Sequence, residues 1–176
     1  MESRKTLEHL LACCDAVYRG LGECAPRLTN DAYVVRVHEM GRSFGEVALA
    51  LRTYLGDADV TPLAVILEVL ERAAKSDETG AMTLYAMAHV VGPRLLVSLR
   101  DARELGEGSV GDPAWDPAVT QLLERAAQVS LAQVLSIVEV TENEPPREDP
   151  HWQEGARSLV AEAEKAGNAE SWGISH

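Results

Sequence analysis

A long apolar stripe constrains the fold of this chain more than any other feature of its sequence. Its members are separated by alternating steps of four and three residues, which places all of them on one face of an α-helix. They are Tyr33, Val37, Met40, Phe44, Val47, Leu51 and Tyr54. We therefore expect a helix over about residues 30–55, packed along its whole length against other helices.

The same helical spacing of apolar residues recurs along most of the chain. It predicts further helices over about residues 4–21, 62–75, 77–105, 117–140 and 150–167. Three of the starts, at Thr61-Pro62, Asp116-Pro117 and Asp149-Pro150, combine a capping residue with a proline at the first helical position. Thr29 is the predicted N-cap of the stripe helix.

No segment alternates apolar and polar residues with the period of two that a half-buried strand requires. The sequence therefore predicts an all-α fold, a single-domain antiparallel bundle of about six helices. The helix that follows Ser76 is expected to be broken at Gly92-Pro93, because proline cannot donate the backbone hydrogen bond of an α-helix. Along the chain we expect a bundle core (1–143), an acidic Pro-rich linker (144–150), a C-terminal helix (151–166) and a flexible tail (167–176).

The charge of the chain excludes several classes of partner. With 28 acidic and 16 basic residues, the formal net charge is −12. A surface this acidic repels phosphate groups, so neither nucleic acid nor an anionic membrane is an expected partner. No uncharged apolar run is long enough to span a bilayer, and the N-terminus lacks the apolar core of a signal peptide.

The cysteines favour a reducing compartment. Cys13, Cys14 and Cys24 are odd in number and show neither a CxxC motif nor the spacing of a zinc site. We expect the protein to be cytoplasmic. The strong preference for arginine over lysine is typical of a GC-rich bacterial genome.

The sequence offers no recognisable catalytic constellation. Ser98, Ser130 and Ser136 have no GxSxG context, the phosphate-binding motif GxxxxGK[ST] is absent, and so is the pair of Glu-x-x-His spacings that a di-iron bundle requires. We therefore expect a non-enzymatic protein with no catalytic residues, no cofactor and no metal.

Two of the predicted helices are too apolar to be covered by one neighbouring surface. Apolar side chains nearly surround the helix over 62–75, and they occupy two opposite sides of the helix over 117–140. Such helices lie at the centre of their own domain or are shared with a second subunit. We expect self-association as a symmetric homodimer, with a basic protein partner as a further hypothesis. The expected interface residues are Val65, Val69, Leu131, Leu135 and Val138.

The alternative function is a small-molecule- or metal-binding bundle, an enzyme included. His89 lies one turn before the Gly92-Pro93 break, where carbonyls freed from the helix favour a pocket. The pocket would be lined by His89, Tyr85, Met82 and Met87. A metal there would need Glu68 or Glu71 from another helix. The competing interpretation is a structural histidine that bonds one of the freed carbonyls.

Side chains outside the apolar stripes offer two weaker signals. The tryptophans Trp115, Trp152 and Trp172 lie in loops or near a terminus, as expected of residues at an interface or covering the ends of the bundle. Arg36 and Arg52 flank the stripe, where their guanidinium groups reach over it or pair with carboxylates of a partner.

Overall fold

The computed structural model describes residues 2–56, 59–108, 117–143 and 150–166. Within these residues the chain forms six helices and no strand, which confirms the all-α prediction. The helices are α1 (Glu2–Cys24), α2 (Asp31–Leu55), α3 (Ala64–Ser76), α4 (Ala81–Ala86, a π-helical turn at Met87–Val91, and Gly92–Gly108), α5 (Pro117–Asn143) and α6 (Pro150–Ala166). A 3₁₀ turn at Ala25–Arg27 follows α1.

The first helix lies at the centre of the fold. Every residue from 10 to 17 of α1 is buried, and the helix packs against α2, α3 and α4. Half of this stretch consists of small side chains, Ala12, Cys13, Cys14 and Ala16, which let neighbouring helices approach closely. Because this stretch has few bulky apolar side chains, the sequence pattern favoured the helices over 62–75 and 117–140, and not α1, as the central ones.

A buried carboxylate lies on this central helix. Asp15 is almost fully buried, and its Oδ2 is 3.1 Å from Arg19 Nε and 3.4 Å from Arg52 Nη2. Burying a carboxylate is costly unless it is paired, and two guanidinium groups supply that pairing here. Arg52 thus pairs with a carboxylate of its own chain.

Helix α2 carries the apolar stripe as predicted. Five members of the stripe are buried, Val47 is half-buried, and only Tyr54, near the end of the helix, is exposed. The N-cap is Asn30, whose side chain accepts a hydrogen bond from Tyr33 N (3.2 Å), so the prediction of Thr29 is wrong. Thr29 instead donates its backbone N–H and its hydroxyl to the carbonyl of Glu78.

Helix α3 begins at Ala64, two residues after the predicted position. The backbone N–H of Leu63 donates to the carbonyl of Ala12 in α1 (3.2 Å), so a tertiary contact, and not the Thr61-Pro62 signal, determines where the helix starts. In the folded chain α3 is covered by α1, α4 and α6.

The α-helical pattern of α4 is interrupted immediately before Gly92-Pro93, and the interruption is a π-helical turn. Gly92 N–H donates to the carbonyl of Met87, five residues earlier, and the wider turn leaves room for the proline that cannot donate. Gly92 has little room for a side chain: a Cβ there would lie 2.5 Å from Met87 O and 2.7 Å from Val134 Cγ2. Helix α5 therefore crosses α4 at this glycine.

By length and composition alone, the stretch Ala81–Glu104 of α4 is apolar enough to cross a membrane. Its most apolar window has a mean hydropathy of 1.3, and 67% of that window is buried inside the fold. Burial of this extent is typical of a core helix in a folded domain.

Helices α5 and α6 complete the bundle. Helix α5 runs antiparallel to α2, since Arg36 donates to Ser136 Oγ at one end and Gln133 donates to Ser43 Oγ (3.3 Å) further along. Helix α6 packs on α3 and α4. It occupies the region expected for the C-terminal helix, whereas linker residues 144–149 and tail residues 167–176 lie outside the described residues.

Candidate functional site

Three aromatic side chains meet where α6 crosses the π-helical turn of α4. The rings of Tyr85 and His89 are stacked with centroids 4.3 Å apart and planes inclined by 36°. Trp152 of α6 meets Tyr85 edge-to-face, with centroids 5.4 Å apart and planes at 85°. Tyr85 and His89 are the only residues between 81 and 92 that are not buried, so α4 presents both at the same surface.

Asp77, in the turn between α3 and α4, fixes Trp152. Its Oδ2 accepts hydrogen bonds from Trp152 Nε1 (2.9 Å) and from the backbone N–H of Met82 (3.2 Å). Its Oδ1 accepts from the backbone N–H of Thr79 (2.9 Å) and from the Thr79 hydroxyl (2.7 Å). One carboxylate therefore accepts a hydrogen bond from a backbone N–H in the first turn of α4 and holds the first turn of α6 beside it.

A groove of about 390 Å³ opens between the two helices at this point. Its lining residues are Tyr85, Trp152, Gln153, Ala156 and Arg157. We call it the aromatic groove. Of the residues predicted to line a pocket, Tyr85 is in the lining and His89 is stacked on it. Met82 and Met87 are buried in the core and are not among the residues that line the groove.

The five predicted interface residues differ in how far they are buried. Val65 and Val69 of α3 are buried within the chain itself. On α5, Leu131 and Leu135 are 49% and 60% exposed, and Val138 is half-buried. The solvent side of α5 is polar over residues 121–128 and becomes apolar at Leu131, Ala132 and Leu135. We call these three residues, with Val138, the α5 patch.

The three cysteines are free thiols and all are buried. Burial raises the pKa of Cys13 from 9.0 to about 12 and also raises the pKa of Cys14 and of Cys24. Cys13 Sγ lies 3.4 Å from His9 Nε2. A thiol must lose its proton to act as a nucleophile, so this pairing is a poor nucleophilic site at neutral pH.

Two further observations concern ligands. A second groove, of about 190 Å³, lies between α2 and α5, where Ser43, Glu46, Ala50, Leu122 and Arg125 are among its lining residues. In the part of the chain that the structure describes, no three His, Cys, Asp or Glu side chains are grouped as a metal site requires. The pairing of His89 with Glu68 or Glu71 is thus without geometric support.

Sequence reasoning identified Tyr85 and His89 but missed Asp77 and the position of Trp152. The available signal for Trp152 was its place outside every apolar stripe, which indicated a role at the edge of the bundle. Comparison of the chain with protein-family models, with curated proteins and with solved structures finds no match.

Proposed function

We propose that this protein acts without catalysis, through contact with another protein, and that this partner is a second copy of itself. The observation that carries the proposal is the α5 patch, where Leu131 and Leu135 are 49% and 60% exposed one helical turn apart. Covering a leucine that is otherwise exposed contributes about 1.5–3 kcal/mol when the burial is complete.

The spacing of the two leucines suits a two-fold axis. In an antiparallel pairing of two α5 helices, Leu131 of one copy meets Leu135 of the other, and the same contact is repeated across the axis. Two copies therefore cover four leucines with one small surface. A surface of this size supports a weak dimer that forms at roughly micromolar or higher protein concentration.

Side-chain exposure favours α5 over α3 as the proposed surface. Val65 and Val69 are covered by their own chain and have little area left for a partner. The cysteines, as buried thiols of raised pKa, support a non-enzymatic role and a cytoplasmic location in which thiols stay reduced.

Sedimentation velocity over a range of protein concentrations tests the proposal. The wild-type chain is expected to shift from monomer to dimer as its concentration rises, whereas the double variant Leu131→Gln/Leu135→Gln stays monomeric. Leu49→Gln is the matched control, because Leu49 is 65% exposed on α2. It lies 13 residues beyond Arg36, which contacts Ser136, and that is about 20 Å along the helix.

The control variant is expected to dimerise like the wild type, and circular dichroism checks that all variants are folded. A wild-type chain that remains monomeric at about 1 mM would overturn the proposal, since a dimer with a dissociation constant above about 1 mM is too weak to serve as an interface. A double variant that dimerises as well as the wild type would overturn it too.

A further inference from the structure

We infer that the aromatic groove between α4 and α6 binds a small planar aromatic carboxylate. The groove lies on different helices from the α5 patch, so the inference does not depend on the proposed homodimer. Its volume of about 390 Å³ is at the lower end of the range of small-molecule pockets, which suits one ring or two fused rings with one substituent.

The ring systems that line the groove are held in place before any ligand arrives. Trp152 is fixed by its hydrogen bond to Asp77, and Tyr85 contacts the rings of both Trp152 and His89. Aromatic rings pack best in offset or edge-to-face arrangements, and the Tyr85–Trp152 pair already shows the edge-to-face geometry. A flat aromatic ligand therefore extends an existing aromatic cluster, and its binding does not pay an entropic cost for ordering these rings.

The charge at the groove selects an anion. Arg157 is exposed at the lining, and its Nε donates a long hydrogen bond, 3.4 Å, to the carbonyl of Gln153. A guanidinium group binds a carboxylate through paired hydrogen bonds. Trp152 and Gln153 belong to the first turn of α6, where the helix dipole also favours negative charge.

The same charge argues against a cationic ligand, which aromatic rings otherwise attract. Such a ligand would lie beside the positive charge of Arg157. The nearby carboxylate of Asp77, which could otherwise attract a cation, is occupied by hydrogen bonds from Trp152, Met82 and Thr79. The chain as a whole carries a net charge of −12, so the binding of an anion at this groove depends on the local positive charge of Arg157.

The test is an NMR titration of the full-length ¹⁵N-labelled protein, followed at the indole N–H signal of Trp152. This signal is assigned by its loss in the variant Trp152→Phe. The probes are indole-3-carboxylate, its neutral amide indole-3-carboxamide, and the cation benzyltrimethylammonium. We expect the carboxylate to bind about tenfold more tightly than the amide, as a charge-assisted hydrogen bond provides. Arg157→Gln is expected to abolish this preference and to leave the affinity for the amide within about twofold.

Arg100→Gln is the matched control, because Arg100 is an exposed arginine on the later part of α4, paired with Asp101. This variant is expected to keep the tenfold preference. The inference is overturned if the carboxylate causes no shift up to about 10 mM. It is also overturned if the amide or the cation binds as tightly as the carboxylate, or if Arg157→Gln retains the preference.

Discussion

Trp152 Nε1 donates a hydrogen bond of 2.9 Å to Asp77 Oδ2, although 75 residues separate them in sequence. Asp77 also accepts hydrogen bonds from the backbone N–H groups of Met82 and Thr79, so this bond links α6 to the turn between α3 and α4. An ion pair between Arg72 of α3 and Glu162, together with the buried Ala156, Leu159 and Ala163, holds the rest of α6. The Trp152–Asp77 bond fixes the end of the helix that forms the aromatic groove.

We predict that Trp152→Phe weakens this attachment. The substitution keeps a ring but removes the donor, and a hydrogen bond to a charged group is worth about 1.5–3 kcal/mol. Urea unfolding is expected to show a loss of that size, and amide hydrogen exchange is expected to accelerate first in α6. Unchanged exchange in α6 would show that the bond has no role in holding the helix.

The π-helical turn makes Gly92 intolerant of a side chain. We predict that Gly92→Ala lowers the free energy of unfolding by about 1–3 kcal/mol, because the new Cβ meets Met87 O and Val134 Cγ2. Gly22→Ala is the control, since a Cβ at Gly22, also in a helix, meets nothing within 4 Å. The control is expected to be neutral or to stabilise the protein by up to about 1 kcal/mol. Equal effects of the two substitutions in urea unfolding would contradict the packing argument.

The sequence predicted the parts of the fold that depend on large side chains at helical spacing. The stripe on α2 is the clearest case, since its bulky residues fill the core whatever the neighbouring helix is. The central position of α1 was not predictable in this way. Ala12, Cys13 and Ala16 contribute little apolar area, and their importance lies in how closely other helices approach them.

Tertiary contacts account for the other differences. Thr29 and Asn30 are both capable caps, and the choice between them depends on Glu78, 49 residues from Thr29. The sequence pattern places apolar residues all around α3 and on two sides of α5. Helical periodicity does not, however, reveal how many neighbouring helices cover each of them. At the aromatic groove, Tyr85 and His89 share one helix, whereas Trp152 is brought to them only by the folded chain.

The ion pairs of Asp15 are expected to matter more than those at the surface. We predict that Asp15→Asn lowers the free energy of unfolding by about 1–3 kcal/mol, because it weakens the buried bonds to Arg19 and Arg52. Glu71→Gln is the control. It removes an exposed pair with Lys75 of similar length, 3.1 Å, and is expected to change stability by less than about 0.5 kcal/mol. A control effect as large as that of Asp15→Asn would contradict the role assigned to burial.

The buried thiols predict a loss of stability in alkali. Burial raises the pKa of Cys13 from 9.0 to about 12, so the folded chain keeps this proton after the unfolded chain has lost it. The stability that this thiol contributes is therefore complete below pH 9 and declines as the pH rises from about 9 towards 12. Cys14, whose pKa is also raised by burial, acts in the same direction.

Tyrosine and lysine side chains titrate in the same range, so the measurement compares slopes. We expect the free energy of unfolding of Cys13→Ala/Cys14→Ala to fall less steeply between pH 8.5 and 10.5, near the ordinary cysteine pKa of 9.0, than that of the wild type. The double variant starts from a lower stability at neutral pH, because two buried side chains are truncated. Parallel slopes for the two proteins would show that these thiols titrate alike in the folded and unfolded chains, which contradicts the effect of burial on their pKa.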